Sequence, residues 1–260
     1  MAKYTSSQFT QRKRKDFLIK TGLLLVFVVV VFLCISEFFK FNFANIKEVN
    51  ISGNKIVKTL DIQKIVSENL NGNYLWKFFP KRNILIYPKK SLTIELFEKN
   101  PRIKEIDLKL KNFDSLIVEI KERDPFAFWC QENKLIDECF VVDSEGLIFD
   151  KERGEGLFKY YTDLNDKKII GENVFEFEKF KEIDSIVKFI TNLKLEPYKL
   201  VQNENKLEIY ILDGSKIIFN KDQSAKEVTT NIQSIMNMKD FDITKIGYVD
   251  FSFGNKVFYK

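Results

Sequence analysis

The residue types that carry most enzyme chemistry are sparse in this chain of 260 residues. It has no histidine, which excludes nucleophiles paired with histidine and zinc sites ligated by histidine. Its three cysteines, Cys34, Cys130 and Cys139, show no CxxC spacing and cannot hold a four-cysteine zinc site or an iron–sulfur cluster unaided. We therefore expect no metal, no cofactor, no small-molecule substrate and no catalytic residue.

Carboxylates are the remaining candidates for catalysis. An acid and base pair such as Asp143 with Glu145, or Asp213 with Asp250, could in principle hydrolyse a wall glycan. Asp143 and Asp213 lie in turn sequences, where aspartate commonly sets the geometry of the backbone. We therefore interpret these residues as structural, and a membrane-anchored hydrolase that uses carboxylates is kept as an alternative.

Cys130 and Cys139 are nine residues apart and could form a disulfide. They would face each other if they lay opposite one another on a hairpin, and an oxidising compartment would favour the bond. The other interpretation is a pair of small, half-buried apolar residues. The sequence leaves both open because it does not fix the register of the two strands.

The basic excess of the chain is concentrated at its N-terminus. Of 42 basic and 37 acidic residues, the first 20 hold six basic and one acidic, which leaves 36 of each after Lys20. An uncharged apolar run occupies residues 21–35. Roughly 20 residues at about 1.5 Å each cover the ~30 Å hydrocarbon core of a bilayer. This pattern predicts a transmembrane helix at residues 18–39 behind a basic tail at residues 1–17.

A buried core helix and a cleaved secretory signal are the alternatives for this segment. Soluble cores rarely hold four consecutive valines beside a basic cluster. No small residues suited to peptidase cleavage follow the run, which continues as Cys34-Ile-Ser-Glu-Phe-Phe39. We therefore expect an uncleaved anchor in the cytoplasmic membrane, with its basic end in the cytoplasm and residues 40–260 outside it. No nucleic-acid motif accompanies the basic tail, so we expect no nucleic-acid partner.

Residues 43–123 follow a β-α-α-β-β pattern. A strand at residues 47–52 ends in the turn pair Gly53-Asn54. Apolar residues at helical spacing predict a helix that is capped by Thr59 or Asp61 and ends at Asn71-Gly72, and a second helix at residues 89–99. Alternation predicts inward-facing residues in the last two strands: Ile106, Leu108 and Leu110, then Leu116, Val118 and Ile120. The simplest burial of these faces is a small sheet covered on one side by two helices.

Residues 124–260 combine short strands with two helices, so the expected fold class is α+β. A hairpin is predicted around Asp213-Gly214, where alternating apolar residues flank a turn pair. The capping box Ser224-Ala-Lys-Glu227 predicts the start of a helix. A final pair of strands is expected at residues 246–253 and 256–260, joined by Gly254-Asn255.

Several of these stretches resemble the FtsQ/DivIB family of bacterial division proteins. Ile46-Lys-Glu-Val-Asn-Ile-Ser-Gly-Asn54, Asn100-Pro-Arg-Ile-Lys104 and Leu116-Ile-Val-Glu-Ile-Lys-Glu-Arg-Asp-Pro125 resemble its POTRA domain. Phe140-Val-Val-Asp-Ser-Glu-Gly-Leu-Ile-Phe149 and Tyr248-Val-Asp-Phe-Ser-Phe253 resemble motifs of its β domain. Ser252 stands where the family has an arginine. The resemblance implies a POTRA domain at residues 43–123 and a β domain at residues 124–260.

The resemblance also implies a function. It predicts a non-enzymatic membrane scaffold of the divisome at the division septum, which binds FtsB/DivIC-like and FtsL-like membrane proteins and links them to the septal wall synthase complex. In that family the last strands of the β domain receive a strand from the partner. The exposed sheet edge of the POTRA domain is expected to offer a second docking surface. A POTRA-type chaperone for exported proteins is a further alternative.

The position of the last strands gives the candidate partner-binding residues. Transferred by position, they are Phe253, Val257, Phe258 and Tyr259. If nothing covers the last strand, its backbone amides and carbonyls can pair with a strand from another protein. The alternative is that these side chains are ordinary core residues of a terminal hairpin.

Overall fold

The structure is a computed structural model that describes residues 7–40, 44–131, 138–151, 156–162, 168–239, 241–254 and 256–260. The chain divides into two compact units, Met1–Glu122 and Arg123–Lys260. The first unit contains a long N-terminal helix and a small sheet with two helices, and the second contains a large sheet with two helices. The predicted α+β class is confirmed.

The N-terminal helix, α1, runs over Ser7–Lys40. Its segment Lys13–Lys40 is long and apolar enough to cross a membrane, and no other helix within the described ranges meets that criterion. The apolar window of this helix is not buried against the rest of the chain. The alternative of a buried core helix is therefore excluded, and the helix fits a transmembrane anchor.

The rest of the first unit has the predicted β-α-α-β-β order, with one small hairpin added between the two helices. Its elements are β1 (Glu48–Ser52), α2 (Thr59–Leu70), β2 (Asn73–Tyr74), β3 (Phe79–Pro80), α3 (Lys89–Lys99), β4 (Ile103–Lys111) and β5 (Ser115–Glu122). The strand order is β1-β5-β4, with β1 parallel and β4 antiparallel to β5. The hairpin of β2 and β3 forms a separate two-stranded sheet.

The core of the first unit lies between the sheet and its two helices. On β5 the predicted residues Leu116, Val118 and Ile120 are buried. On β4 only Leu108 of the three predicted residues is buried, whereas Ile106 is half-buried and Leu110 is exposed. The prediction for Leu110 was wrong because β4 is an edge strand and this residue lies next to the turn into β5, outside the packed cluster.

Glu122, the last residue of β5, closes the first unit. Its carboxylate accepts backbone hydrogen bonds from Lys55, Ile56 and Val57 at 2.6, 2.9 and 2.9 Å. Burial raises the pKa of this carboxyl, but the three backbone hydrogen bonds lower it by more, so the net pKa is below its usual value. The bonds fix the loop between β1 and α2 to the end of the sheet.

The second unit is built on a nine-stranded sheet. Its elements are β6 (Ala127–Gln131), β7 (Glu138–Val142), β8 (Ile148–Asp150), β9 (Phe158–Tyr161), α4 (Phe177–Asn192), β10 (Pro197–Asn203), β11 (Lys206–Ile211), β12 (Lys216–Asn220), α5 (Ala225–Met236), a short 3-10 helix (Ile243–Lys245), β13 (Tyr248–Phe253) and β14 (Lys256–Tyr259). The strand order is β14-β13-β12-β11-β10-β9-β6-β7-β8. The two ends of the sheet are therefore β14 and β8.

The helices α4 and α5 pack their apolar faces into the core of the second unit. Phe180, Ile183, Ile186 and Ile190 of α4 are buried at helical spacing, whereas Val187 and Leu193 on the same stripe are half-buried. The N-cap predicted at Ser224 is present, since its hydroxyl accepts a hydrogen bond from the Glu227 amide at 3.2 Å. The predicted hairpin around Gly214 joins β11 to β12 in antiparallel pairing.

Candidate functional site

The candidate site is the hairpin of β13 and β14 at one end of the nine-stranded sheet. β13 pairs in parallel with β12 on one side and antiparallel with β14 on the other. Gly254 lies in the connection and has φ +63°, a conformation that glycine adopts without steric cost. Among the described residues, no strand pairs with the outer side of β14.

The backbone pairing shows which groups of β14 face the open side. Lys260 accepts a hydrogen bond from the Tyr248 amide and donates one to the Tyr248 carbonyl, both at 3.3 Å. In an antiparallel ladder, residues that exchange such bonds alternate with residues that do not. The amides and carbonyls of Val257 and Tyr259 therefore point away from β13. These groups are placed to pair with a strand from outside the sheet.

The side chains of this hairpin are apolar and exposed. The exposed fractions are 54% for Phe253, 37% for Val257, 48% for Phe258 and 58% for Tyr259. The Phe253 and Phe258 rings meet edge to face at 4.9 Å, and Tyr259 contacts Phe241 at 5.6 Å. The structure thus brings all four predicted residues to one surface hairpin rather than into the core. Their binding of a partner stays a prediction.

Asp250 organises β13 beside the edge. Its Oδ1 accepts hydrogen bonds from the Ser252 amide at 2.8 Å and the Ser252 hydroxyl, and its Oδ2 lies 3.1 Å from the Lys206 ammonium. Burial raises the pKa of the Asp250 carboxyl, but the bonds from Ser252 and the charge of Lys206 lower it by more, so the net pKa is below its usual value. Asp250 therefore has a structural role in the described fold.

Lys206 is a residue of this site that sequence reasoning missed. It begins β11, yet its ammonium lies 4.8 Å from the centre of the Phe253 ring. Lys206 therefore supplies a cation to this hairpin from another strand. Lys206 and Asp250 are 44 residues apart, and no local sequence signal links them.

Backbone carbonyls near the hairpin are also held by side chains. Asn220 Nδ2 donates a hydrogen bond to the Ser252 carbonyl at 2.9 Å, and Gln223 Nε2 donates one to the Phe251 carbonyl at 3.3 Å. The backbone pairing of β13 with β12 ends at Asp250. Beyond that point, the side-chain amides of Asn220 and Gln223 hydrogen-bond the backbone of β13 instead. They keep the end of β13 fixed while β14 extends the sheet.

At the opposite end of the same sheet, Cys130 and Cys139 lie directly opposite each other on β6 and β7. Their Cα atoms are 4.1 Å apart and the two sulfurs are bonded in the structure. This is the register that the sequence could not fix. Cys34 is a free cysteine on the exposed surface of α1.

The carboxylates considered for catalysis are used in local structure. Asp143 pairs with Arg123 and accepts hydrogen bonds from the amides of Glu145 and Leu147 at 2.8 and 3.0 Å. Asp213 accepts hydrogen bonds from the amide and hydroxyl of Ser215 at 2.9 and 2.6 Å. Aspartate stabilises turns through hydrogen bonds of this kind to the backbone.

Metal ligands do not cluster in the described part of the chain. No group of three or more histidine, cysteine, aspartate or glutamate side chains there could hold a metal ion. The β13 and β14 hairpin presents main-chain hydrogen-bonding groups, exposed apolar side chains and a nearby ammonium. These are the elements of strand addition between proteins.

Comparison with known proteins gives full-length relatives. No protein-family model matches the chain. The chain is 24% identical to the cell division protein DivIB of Clostridium botulinum strain Hall over 277 aligned positions, which cover 98% of this chain and 96% of the relative. It is 25% identical to DivIB of the Loch Maree strain, with the same coverage, and 26% identical to DivIB of Clostridium acetobutylicum, with 88% and 87% covered.

These likenesses extend over both units and the N-terminal helix. Identity is low, but the alignments cover nearly the whole of this chain and of each relative. The α+β fold with one apolar N-terminal helix agrees with the motifs in the sequence. These likenesses support the FtsQ/DivIB family that the sequence motifs resemble, and with it a role in cell division.

Proposed function

We propose that this cell division protein is a single-pass, non-enzymatic membrane scaffold that binds other division proteins by adding a strand of the partner to β14. Its basic end would lie in the cytoplasm, and both compact units would lie outside the cytoplasm at the division septum. The basic residues before the apolar run of α1 support this orientation, because positive charge is retained on the cytoplasmic side.

The observation that carries the proposal is the open edge at β14. Val257 and Tyr259 present backbone hydrogen-bonding groups to solvent, and the side chains around them are apolar. A strand added here would satisfy those groups and cover the side chains in one step. Strand addition needs no cofactor and no chemical step, so the engaged carboxylates of the second unit are consistent with it.

The resemblance to the FtsQ/DivIB family supplies the identity of the partners. Small membrane proteins of the FtsB/DivIC and FtsL types would bind at Phe253, Val257, Phe258 and Tyr259. Through them the chain would be linked to the septal wall synthase complex. The first unit, with POTRA-like element order, would provide a second docking surface at its own sheet edge.

A truncation tests the proposal directly. Ending the chain after Gly254 removes β14 but leaves the first unit and the core of the second unit intact. We expect the truncated protein, extracted from membranes, to lose co-purification of small coiled-coil membrane proteins identified by mass spectrometry. Retained co-purification would refute the β14 proposal.

A single substitution separates the edge from the rest of the hairpin. The Val257 amide points away from β13, so Val257→Pro removes an outward donor while the inward bonds remain. We expect partner binding to fall and folding to be kept, as measured by emission of the buried Trp129. Leu212→Ser, which changes an exposed apolar residue on the β11 to β12 turn, is the matched control and should bind normally.

The absence of catalysis is tested separately. Purified full-length protein incubated with isolated wall glycan should release no soluble fragments above a protein-free blank. Release that is lost in Asp143→Asn or Asp250→Asn would instead support a hydrolase with those carboxylates in its centre. A loss caused by unfolding is recognised by the accompanying change in Trp129 emission.

A further inference from the structure

The small hairpin of β2 and β3 is packed on the C-terminal part of the membrane helix. Phe32 of α1 meets the rings of Phe78 and Phe79 edge to face at 5.2 and 5.6 Å, and Phe39 meets Phe79 at 5.4 Å. The Ser36 hydroxyl donates a hydrogen bond to the Phe78 carbonyl at 2.9 Å. These contacts set the position of the hairpin on the helix.

A hydrogen bond near the helix end holds the same junction. The side-chain amide of Asn83 donates to the Phe39 carbonyl at 2.9 Å, which satisfies one of the carbonyls left open at a helix C-terminus. Asn83 is buried, and its own Oδ1 accepts from the Leu85 amide at 3.0 Å. The hairpin and the helix are therefore joined at several points along one face.

The contacts also give the direction of the hairpin. Phe79 touches both Phe39 and Phe32, whereas Phe78 meets Phe32 and the hydroxyl of Ser36. Going back along the chain from Phe79 to Phe78 thus leads from the end of α1 toward its interior. Continued in the same direction, the chain would bring the turn at residues 75–77, which precedes Phe78, toward the apolar part of the helix.

Charged residues on α1 indicate the depth of these contacts. Glu37 and Lys40 form an ion pair at 2.7 Å where the apolar run ends, so this turn of the helix belongs at the surface of the bilayer. Phe32 lies five residues earlier, about 7 Å deeper at about 1.5 Å per residue. Side chains that touch Phe32 are therefore at the boundary between headgroups and acyl chains.

The tip of the hairpin carries large apolar residues that the described chain leaves uncovered. Leu75 is 68% exposed and Trp76 is 91% exposed. Their φ angles are +47° and +69°, which bulky residues rarely adopt. This turn holds two bulky residues in left-handed conformations with both side chains exposed. The described contacts within the first unit do not explain that arrangement.

Basic residues flank this tip. Lys77 and Arg82 are exposed, and the Lys81 ammonium lies 5.7 Å from the centre of the Tyr74 ring. Tryptophan and tyrosine concentrate at the membrane interface, and lysine and arginine beside them are attracted to anionic headgroups. The composition of the tip matches the surface of a bilayer rather than an aqueous protein surface.

We propose that residues 74–77 form a second membrane contact, in which Leu75 and Trp76 insert into the leaflet that α1 leaves. The occupant of this apolar tip is phospholipid, since the hairpin is continuous with a helix whose own apolar surface lipid covers. The inference rests on the proposed membrane-spanning role of α1. Its consequence is that the hairpin fixes the tilt and rotation of the first unit on the membrane.

The two tryptophans of the chain make the test direct. Trp76 is exposed, whereas Trp129 in the second unit is buried, with 1% of its surface exposed. Subtracting the emission of Trp76→Phe from that of the wild type therefore gives the emission of Trp76. Full-length protein is placed in vesicles of phosphatidylcholine and phosphatidylglycerol with bromine on the upper part of the acyl chains. We expect bromine to quench about half of the Trp76 emission and to shift the remainder to shorter wavelength.

Two reporters in the Trp76→Phe background complete the experiment. Leu33→Trp places a reporter on the exposed surface of α1, four residues before Glu37 and so about 6 Å deeper, at the depth of the brominated segment, and should be quenched. Leu60→Trp places one on α2 just beyond the end of β1, where Leu60 is 75% exposed, and should stay accessible to aqueous iodide. A quenched α1 reporter with an unquenched, iodide-accessible Trp76 would overturn the inference and leave the anchor standing. If neither is quenched, the anchor and the inference fail together.

Discussion

The two edge strands of the nine-stranded sheet differ in whether another segment of the chain covers them. At β8, Ile148 donates a hydrogen bond to the Glu172 carbonyl at 2.9 Å and accepts one from the Gly171 amide at 2.8 Å. The segment around these residues thus occupies the edge, and the Ile148 and Phe149 side chains are buried. At β14 the outward groups of Val257 and Tyr259 meet no strand within the described ranges, and the side chains are exposed.

This difference shows that the fold does not require an uncovered edge strand. The chain covers one edge with its own segment, so the other edge could have been covered in the same way. Uncovered apolar edges are hazards for aggregation and are usually shortened, charged or hidden. The β14 edge is short but keeps its apolar side chains, which favours a partner that covers it.

The sheet of the first unit has an edge strand of a third kind. On one face of the edge strand β4 the exposed side chains are charged, and they are Glu105, Asp107, Lys109 and Lys111. Two of them pair with charges on β5, Glu105 with Lys121 at 2.7 Å and Lys109 with Glu119 at 2.6 Å. Charges at an edge oppose strand addition, so we expect β4 to accept a partner strand less readily than β14.

The largest expected effect comes from disturbing the closed end of the sheet. Gly146 precedes β8 with φ +86°, and a Cβ there would lie 2.8 Å from Cγ of the buried Phe180. Gly146→Ala should lower the free energy of unfolding by about 3 kcal/mol, because left-handed strain and overpacking add. The measurement is urea unfolding followed by Trp129 emission in the Trp76→Phe background.

Gly214→Ala is the matched control for that substitution. Gly214 also has a left-handed φ of +100°, but nothing lies within 4 Å of a Cβ built there. Only the strain remains, so we expect a loss of about 1 kcal/mol. Equal losses at the two positions would show that the Phe180 contact is not what limits the residue at 146.

The second prediction concerns the disulfide near the closed end. Cys130→Ser with Cys139→Ser should lower the free energy of unfolding by about 2–3 kcal/mol, because the unfolded chain regains the freedom of the loop. Reduction of the wild type should give the same loss, and Cys34→Ser should give none. Partner binding at β14 should not change. An unaltered urea midpoint after reduction would mean that the two thiols are not bridged in the protein.

The third prediction concerns substitutions that place charged side chains on β14, like those on β4. Val257→Lys with Tyr259→Lys places two like charges on one face of the edge. Partner binding should weaken by about tenfold, which corresponds to about 1.4 kcal/mol. Stability should change by less than about 0.5 kcal/mol, because both side chains are exposed.

Leu212→Lys controls for added charge, since Leu212 is also an exposed apolar residue of the second unit. It should leave partner affinity unchanged in a titration against the purified partner. If Leu212→Lys weakens binding as much as the double substitution, the effect is general electrostatics and the edge is not the site.

Periodicity was sufficient to predict the elements with one clearly buried face. On β11, alternate residues Leu207, Ile209 and Ile211 are all buried, and the predicted hairpin follows them. The strand β9 was missed because only Tyr160 of its four residues is buried. Its parallel pairing with β6 and β10 joins segments distant in sequence, which no local pattern encodes.

The candidate site was only partly accessible to the same reasoning. The sequence places Phe253 and Phe258 on strands joined by a glycine turn, and their contact follows from that order. Whether an edge is open depends on distant segments, as residues 169–174 show by covering β8. The ion pair between Lys206 and Asp250 depends on strand order in the same way.

The smallest expected effect concerns the ion pair that supports the open end of the sheet. Asp250 and Lys206 form that pair, whereas the closed end combines backbone hydrogen bonds and a disulfide with the ion pair between Asp143 and Arg123. The pKa of Asp250 is below its ordinary value of 3.8 in the folded chain. Its stabilisation is therefore complete above the unfolded pKa and is lost as pH falls through the folded pKa.

A double-mutant cycle with Asp250→Asn and Lys206→Gln measures this support. The coupling free energy should be about 1 kcal/mol near neutral pH, because the pair is partly exposed. It should fall toward zero as the pH is lowered through the folded pKa of Asp250, below the ordinary value of 3.8, where the carboxyl becomes protonated. Asparagine can still accept the bonds from Ser252, so the cycle isolates the charge. A coupling that persists unchanged in acid would show that hydrogen-bond geometry, and not the ion pair, supports the open edge.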